Sequence, residues 1–178
     1  MRLFIAILLP DNIRDYLYEL QEEIGNEYAK IRWMSKKNIH LTLKFIGNVD
    51  DNIKDEIIKK LGEIKYDKFN VSLGDFGWFG GNNPSVLWTG LKDGSKAIEL
   101  AKIVDSKLLD ILSHDERFSS HLTIGRVKLI KSKEDFMNKL RKIRIKELGF
   151  DVEDFALMSS QLRKEGSIYN IVEKFKLN

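Results

Sequence analysis

The chain has 178 residues, 43% of them hydrophobic and 32% charged, with a net charge of +3. This is the profile of one globular domain with room for a substantial core, and the mild positive charge permits a polyanionic partner without requiring one. There is no cysteine, which excludes disulfides, zinc–thiolate sites and a thiol nucleophile, and suits a reducing compartment.

The apolar run Leu3–Leu9 is expected as a buried strand. It is too short for a membrane span and lacks a signal-peptide cleavage pattern, so a cytoplasmic protein without membrane association is expected. Pro10 and Asp11 open a helix, and Ile13, Tyr16, Leu17, Leu20 and Ile24 give it one apolar stripe to about residue 28. Ile39–Ile46 alternates as a strand ended by Gly47-Asn48. A helix follows from Asp51 to Leu61, then a strand over Phe69–Leu73. Gly74 to Ser85, rich in glycine and aromatics, is expected as a loop joining two halves. The pattern then recurs as a strand over Val86–Leu91, a helix over Ser95–Leu112 and a strand over Ser120–Leu129. Ser132-x-x-Asp135 resembles a capping box opening a helix to about residue 142. Extended segments beginning at Phe150, and over Phe155–Leu162 and Ile168–Leu177, close the chain.

One phrase occurs twice: His40-Leu41-Thr42-Leu43 and His121-Leu122-Thr123-Ile124. Two of the three histidines and two of the three threonines lie in these copies. Counting from each histidine, Asp51 and Ser132 both lie eleven residues on, and Phe69 and Phe150, each followed by x-Val, lie twenty-nine residues on. A strand–helix–strand–helix–strand unit therefore repeats, approximately over 2–79 and 86–162, within one bilobal domain. The expected architecture is α+β, with two pseudo-symmetric antiparallel sheets facing a central cleft and helices on the outside.

In a strand, residues i and i+2 share a face, so each phrase presents an imidazole beside a hydroxyl. Histidine titrates near neutrality, so two of them across a cleft can divide general acid and general base work. The hydroxyls of Thr42 and Thr123 would hold the non-bridging oxygens of a phosphate. That set suits in-line displacement at phosphorus with no metal and no cofactor. The phrases supply two imidazoles and no carboxylate at a fixed spacing, which is too few ligands for a zinc site. No Gly-x-Ser-x-Gly occurs, so a serine nucleophile elbow is not expected. His114, in the charged turn Ser113–Arg117, is expected to be a solvated residue or a helix C-terminal charge partner, with no catalytic role.

The chain resembles the two-histidine (2H) phosphoesterases, and within them the RNA 2′,3′-cyclic phosphodiesterases formerly called 2′-5′ RNA ligases. The resemblance rests on Arg2-Leu3-Phe4-Ile5-Ala6-Ile7 with Leu9-Pro10, and on Trp33 with Asn38-x-His40-Leu41-Thr42-Leu43-Lys44-Phe45-Ile46-Gly47. It continues in Val86-Leu87-Trp88-x-Gly90, in Phe118-x-x-His121-Leu122-Thr123-Ile124-Gly125-Arg126, and in Ser160-x-Leu162 with Gly166-x-x-Tyr169. One departure is Ser120, where the family often has proline. The resemblance implies a bilobal fold and metal-independent hydrolysis of an RNA-terminal 2′,3′-cyclic phosphate to a 2′-phosphate. It implies His40 as proton donor, His121 as acceptor and Arg126 near the phosphate. The expected partner is RNA with a cyclic phosphate end, tRNA fragments included, bound by a monomer, with 2′-5′ ligation as a side activity.

Simple alternation points Arg126 away from His121 unless a bulge intervenes, which Gly125 permits. It puts Lys44 on the His40 face, as a candidate RNA contact. Phe45, at the position equivalent to Arg126, is either core or a base-stacking surface. Trp33, Trp78, Phe79 and Tyr169 are further stacking candidates. Arg32, Lys36 and Lys37 would guide a phosphate backbone. Two alternatives remain open at this stage: a non-catalytic RNA-end-binding module, and the same chemistry on a small cyclic nucleotide.

Overall fold

The computed structural model describes residues 1–114, 118–163 and 166–178. The expected charged turn after His114 therefore lies partly outside the described residues. In chain order the elements are β1 (Arg2–Leu8), α1 (Asp11–Ile24), β2 (Ala29–Trp33), β3 (His40–Asn48), α2 (Asp51–Gly62), β4 (Phe69–Phe79), β5 (Val86–Lys92), α3 (Ser95–Lys107), β6 (His121–Ile130), α4 (Lys133–Lys142), β7 (Gly149–Val152), β8 (Asp154–Arg163) and β9 (Gly166–Lys176). Among the described residues no helix is long and apolar enough to cross a membrane.

The fold is α+β and every strand pairing is antiparallel. One half runs β7-β4-β5-β6, with β2 also on β6; the other runs β3-β1-β8-β9. The two meet where β3 pairs β6 through Leu41 and Leu122, so the expected pair of sheets is joined into one continuous path. The helices pack crosswise: α1 lies against β6 and α3 against β3. Between helices and strands sits one apolar core, containing Ile13, Leu17 and Leu20 of α1, Leu100 and Val104 of α3, and Leu41, Leu43, Leu122 and Ile124 of the two central strands.

Several elements differ locally from the sequence expectation. Helix α1 stops at Ile24 because Gly25 takes φ 64° and its N–H caps the Gln21 carbonyl at 2.9 Å. This leaves room for β2, which the apolar stripe concealed. Helix α3 ends at Lys107, short of Leu112. Strand β4 continues through the glycine-rich segment to Phe79, because the glycines there admit close neighbours: a Cβ on Gly77 would lie 2.4 Å from the Trp88 ring. At α4, Ser132 stands at the N-cap position, but its hydroxyl donates to the Asp135 carboxylate at 2.5 Å.

Equivalent positions of the two phrases meet themselves. Leu41 pairs Leu122, and Asn70 pairs Asp151 with a 3.0 Å side-chain hydrogen bond. The two Phe-x-Val segments lie antiparallel, Phe69 against Val152 and Val71 against Phe150.

Candidate active site

Strands β3 and β6 bury Leu41, Leu43, Leu122 and Ile124 on the helix side. Alternation then turns His40, Thr42, His121 and Thr123 into the cleft, and all four line it. The anchoring of the two imidazoles is matched. His40 Nδ1 donates to the Asn38 carbonyl at 2.7 Å, and His121 Nδ1 donates to the Ser119 carbonyl at 2.9 Å. A carbonyl oxygen only accepts, so each ring carries its proton on Nδ1 and keeps Nε2 for chemistry. On His40, Nε2 meets the Thr42 hydroxyl at 2.9 Å. Asn38 is itself buried, with its amide donating to the Ser167 carbonyl at 2.7 Å. Asn38 and Ser119 precede their histidines by the same two residues, and because the anchors are main-chain carbonyls, which every residue has, no residue type announces them.

Aromatic rings seat both imidazoles. Phe4 lies 4.9 Å from His40 between ring centroids, and Tyr169 approaches it edge-on at 5.4 Å. Phe79 meets His121 edge-on at 5.1 Å, and Trp88 lies 6.4 Å away. Burial pushes the His40 imidazole below the usual histidine range, the Asn38 carbonyl pulls it up, and His121 lowers it again. Burial also lowers His121, the Ser119 carbonyl raises it, and the Arg126 guanidinium lowers it. Both shifts favour the neutral imidazoles, and a bound anion would favour protonation of one.

Arg126 reaches the cleft by the bulge that Gly125 permits. Leu87 pairs Gly125 while the next residue, Trp88, pairs Thr123, so Ile124 is the extra residue. The Ile124 carbonyl accepts from the Met34 N–H and from the buried Gln21 amide, each at 2.9 Å. The same shift occurs in β3, where Ile5 pairs Lys44 and Ala6 pairs Thr42, leaving Leu43 extra. It turns Phe45 outward into the cleft, 67% exposed. It also corrects the reading of Lys44. Past the bulge Lys44 lies on the α3 side, buried, and its ammonium pairs with Asp105 and donates to the Ser113 carbonyl at 3.1 Å. The Lys44 ammonium is therefore engaged behind the sheet, on the face opposite to that expected, although other atoms of the residue line the cleft.

Tyr169 and Phe79 line the cleft, as does Trp33 at its edge. Trp78 does not; its indole donates to the Gly81 carbonyl at 2.8 Å. Lys36 pairs with Asp15, and neither it nor Lys37 lines the cleft. Arg32 does, together with Arg2 and Arg163, which the sequence reading did not single out. His114 contacts Asp105, away from the cleft lining. The cleft measures about 800 Å³, within the roughly 300–1,000 Å³ of ligand sites. Among the described residues its lining carries four arginines, Lys44 and two histidines but no aspartate or glutamate. Nor do three or more His, Cys, Asp or Glu side chains converge as metal ligands among the described residues. Such a surface attracts an anion and offers it two proton-transfer groups.

The chain is similar to several known proteins. Residues 7–88 match the family model described as LigT like Phosphoesterase. The RNA 2′,3′-cyclic phosphodiesterase of Methanocaldococcus jannaschii is 32% identical over 98% of this chain and 100% of its own. Its namesake in Archaeoglobus fulgidus is 31% identical over 99% of this chain and 100% of its own. Among solved structures, a Thermus thermophilus protein superposes with a TM-score of 0.80 at 25% identity, covering 99% of this chain and 97% of that one. Escherichia coli LigT complexed with 3′-AMP shares the fold, with a TM-score of 0.78 at 24% identity and the same coverage.

Proposed function

The chain belongs to the LigT-like phosphoesterase family, and we propose that it is an RNA 2′,3′-cyclic phosphodiesterase. The observation that carries the reading is the matched pair of imidazoles. Each is fixed through Nδ1 to the carbonyl two residues upstream, in a cleft lined by arginine and free of carboxylates among the described residues.

In this reading water attacks the phosphorus of the cyclic phosphate in line with the 3′ oxygen. His121 Nε2 takes the water proton as the water–phosphorus bond forms, and protonated His40 gives its Nε2 proton to the departing 3′ oxygen. The products are a 2′-phosphate and a free 3′-hydroxyl. Thr42, Thr123 and Arg126 hold the non-bridging oxygens, where charge grows in the transition state. The assignment of acid and base follows the family resemblance. No step draws on a metal ion or a cofactor. A 5′-hydroxyl in place of water would give a 2′-5′ linkage as a side reaction. The reading includes a monomer acting in the cytoplasm, and the absence of cysteine fits that compartment.

The test is product identity from a cyclic-ended oligonucleotide in EDTA. A 2′-phosphate is expected, with a bell-shaped pH–rate profile whose limbs belong to the coupled histidines. His40→Ala and His121→Ala should each lower turnover by roughly 10²–10⁴. Full activity in either variant would refute the assignment, and binding without turnover in the wild type would favour an RNA-end-binding module.

A further inference from the structure

Two guanidinium groups stand where a sheet ordinarily avoids them. In the β2–β6 ladder Arg32 is directly opposite Arg126. Side chains so placed have Cβ atoms about 4.5–5.5 Å apart, and like charges there destabilise the pair. Both side chains are exposed and both line the cleft. Among the described residues neither guanidinium has an ion-pair or hydrogen-bond partner, and no acid lines the cleft. An anion lying between the two would turn the repulsion into two charge-assisted contacts, and the planar fork of arginine suits phosphate oxygens.

The terminal phosphate is already supplied. In the reading above it lies among Thr42, Thr123 and the two imidazoles, which line the cleft together, and Arg126 is close enough to His121 to lower its pKa. Arg32 stands one strand further over, on β2, roughly 4.8 Å beyond β6 in the pairing direction. We propose that Arg32, acting with Arg126, holds a second phosphate: the internucleotide diester next to the cyclic end. The site thereby selects an RNA oligomer over a cyclic mononucleotide. The inference rests on the RNA reading above and adds to it a residue that measures chain length.

The test uses binding, which needs no turnover. Fluorescence anisotropy compares a short oligonucleotide ending in a 2′-phosphate with the corresponding labelled nucleoside 2′-phosphate, on the wild type and on Arg32→Gln. Loss of one charged contact should lower the oligomer-to-mononucleotide affinity ratio about tenfold. The dependence of log affinity on log salt should become shallower by about 0.7, as expected for one phosphate contact on a single strand. Arg32→Lys, which keeps the charge and loses the fork, should fall between. Arg32 is exposed, and matching melting curves would verify that the variants fold. An equal loss on both probes would assign Arg32 to the terminal phosphate and overturn the proposal. An unchanged ratio would overturn it as well. The failures are distinguishable: a wild type that binds by length yet never turns over a cyclic end refutes the enzyme reading alone. One that turns over both lengths equally refutes the subsite alone.

Discussion

Replacing Lys44 by methionine separates the face that simple alternation gives this residue from the face the bulge gives it. The Lys44 side chain is 3% exposed and its partner Asp105 8% exposed. Methionine fills the volume of the aliphatic stem, so the loss is of charge and of the hydrogen bond to the Ser113 carbonyl. Removing one partner of a buried ion pair costs about 3–5 kcal/mol. Asp105 keeps its contact with His114, whose side chain is 56% exposed, which points to the lower end, about 3 kcal/mol. In a protein of this size each kcal/mol moves Tm by roughly 2–4 °C, so a fall of about 6–12 °C is expected by calorimetry or circular dichroism. The double variant Lys44→Met/Asp105→Leu should recover much of that, since an apolar pair replaces a buried ionic one at little cost. Measured well below Tm, kcat/KM on a cyclic-ended oligonucleotide should keep the salt dependence of the wild type. An unmoved Tm together with a shallower salt dependence would place Lys44 on the RNA and refute the bulge argument.

Gly125→Ala probes the same bulge on the other strand. The new Cβ would lie 2.7 Å from Trp33 Cε3 and 2.9 Å from Ile31 Cγ2. Urea unfolding should show a loss of about 1–3 kcal/mol, and kcat/KM should fall because Arg126 is displaced. Gly62→Ala, whose Cβ would meet nothing within 4 Å, should be silent, and equal behaviour of the two variants would contradict this account. Stability should also fall on acidification through the histidine range. His40 and His121 are both lowered in the native state, chiefly by burial, so the unfolded chain binds more protons below its own histidine pKa of about 6.5. The stability is present above that value and is lost as pH falls from there toward the lowered native values. Melting of the ligand-free protein between about pH 5 and 7 should show a weaker pH dependence in His40→Gln; parallel curves would mean the imidazole is not desolvated.

Much of the site was legible because it is written twice. The His-Leu-Thr phrases put imidazole and hydroxyl on one face by alternation alone, and the two apolar residues between them had to face the core. What alternation could not supply was the phase after the fourth residue. A bulge is settled by which partner strand pairs where, here β1 against β3 and β5 against β6, and neither partner is local in sequence. The phase error fell on Lys44, while Arg126 was rescued by noticing Gly125. Strand β2 was missed because five residues, Ala29–Trp33, are too few to stand out beside a fourteen-residue helix. The glycines of the segment 74–79 read as loop because composition does not reveal that a Trp88 ring presses on one of them.

The symmetry of the site supports reading 2–79 and 86–162 as two copies of one unit. Leu41 with Leu122, Asn70 with Asp151, the bulged Leu43 and Ile124, and the anchoring carbonyls of Asn38 and Ser119 all fall at equivalent positions. A symmetric pair of imidazoles, however, cannot by itself divide acid from base; some neighbour must differ between the halves. Beyond the bulge the equivalent residues are Phe45 on one strand and Arg126 on the other, and β2 adds Arg32 beside Arg126 alone. Burial favours the neutral form of both imidazoles, and the charge of a bound phosphodiester favours returning one proton. At His121 that pull is opposed by the Arg126 guanidinium. At His40, set against the Phe4 and Tyr169 rings, burial opposes it first and His121 adds to that. On the proposed assignment, with His40 as the acid and His121 as the base, the guanidinium beside His121 would help to keep that ring neutral. Arg126→Phe, which restores the symmetry, should then lower turnover by more than the loss of phosphate affinity accounts for, read as a fall in kcat at saturating substrate with a shifted pH profile. A fall confined to KM would return the division of roles to some other difference between the halves.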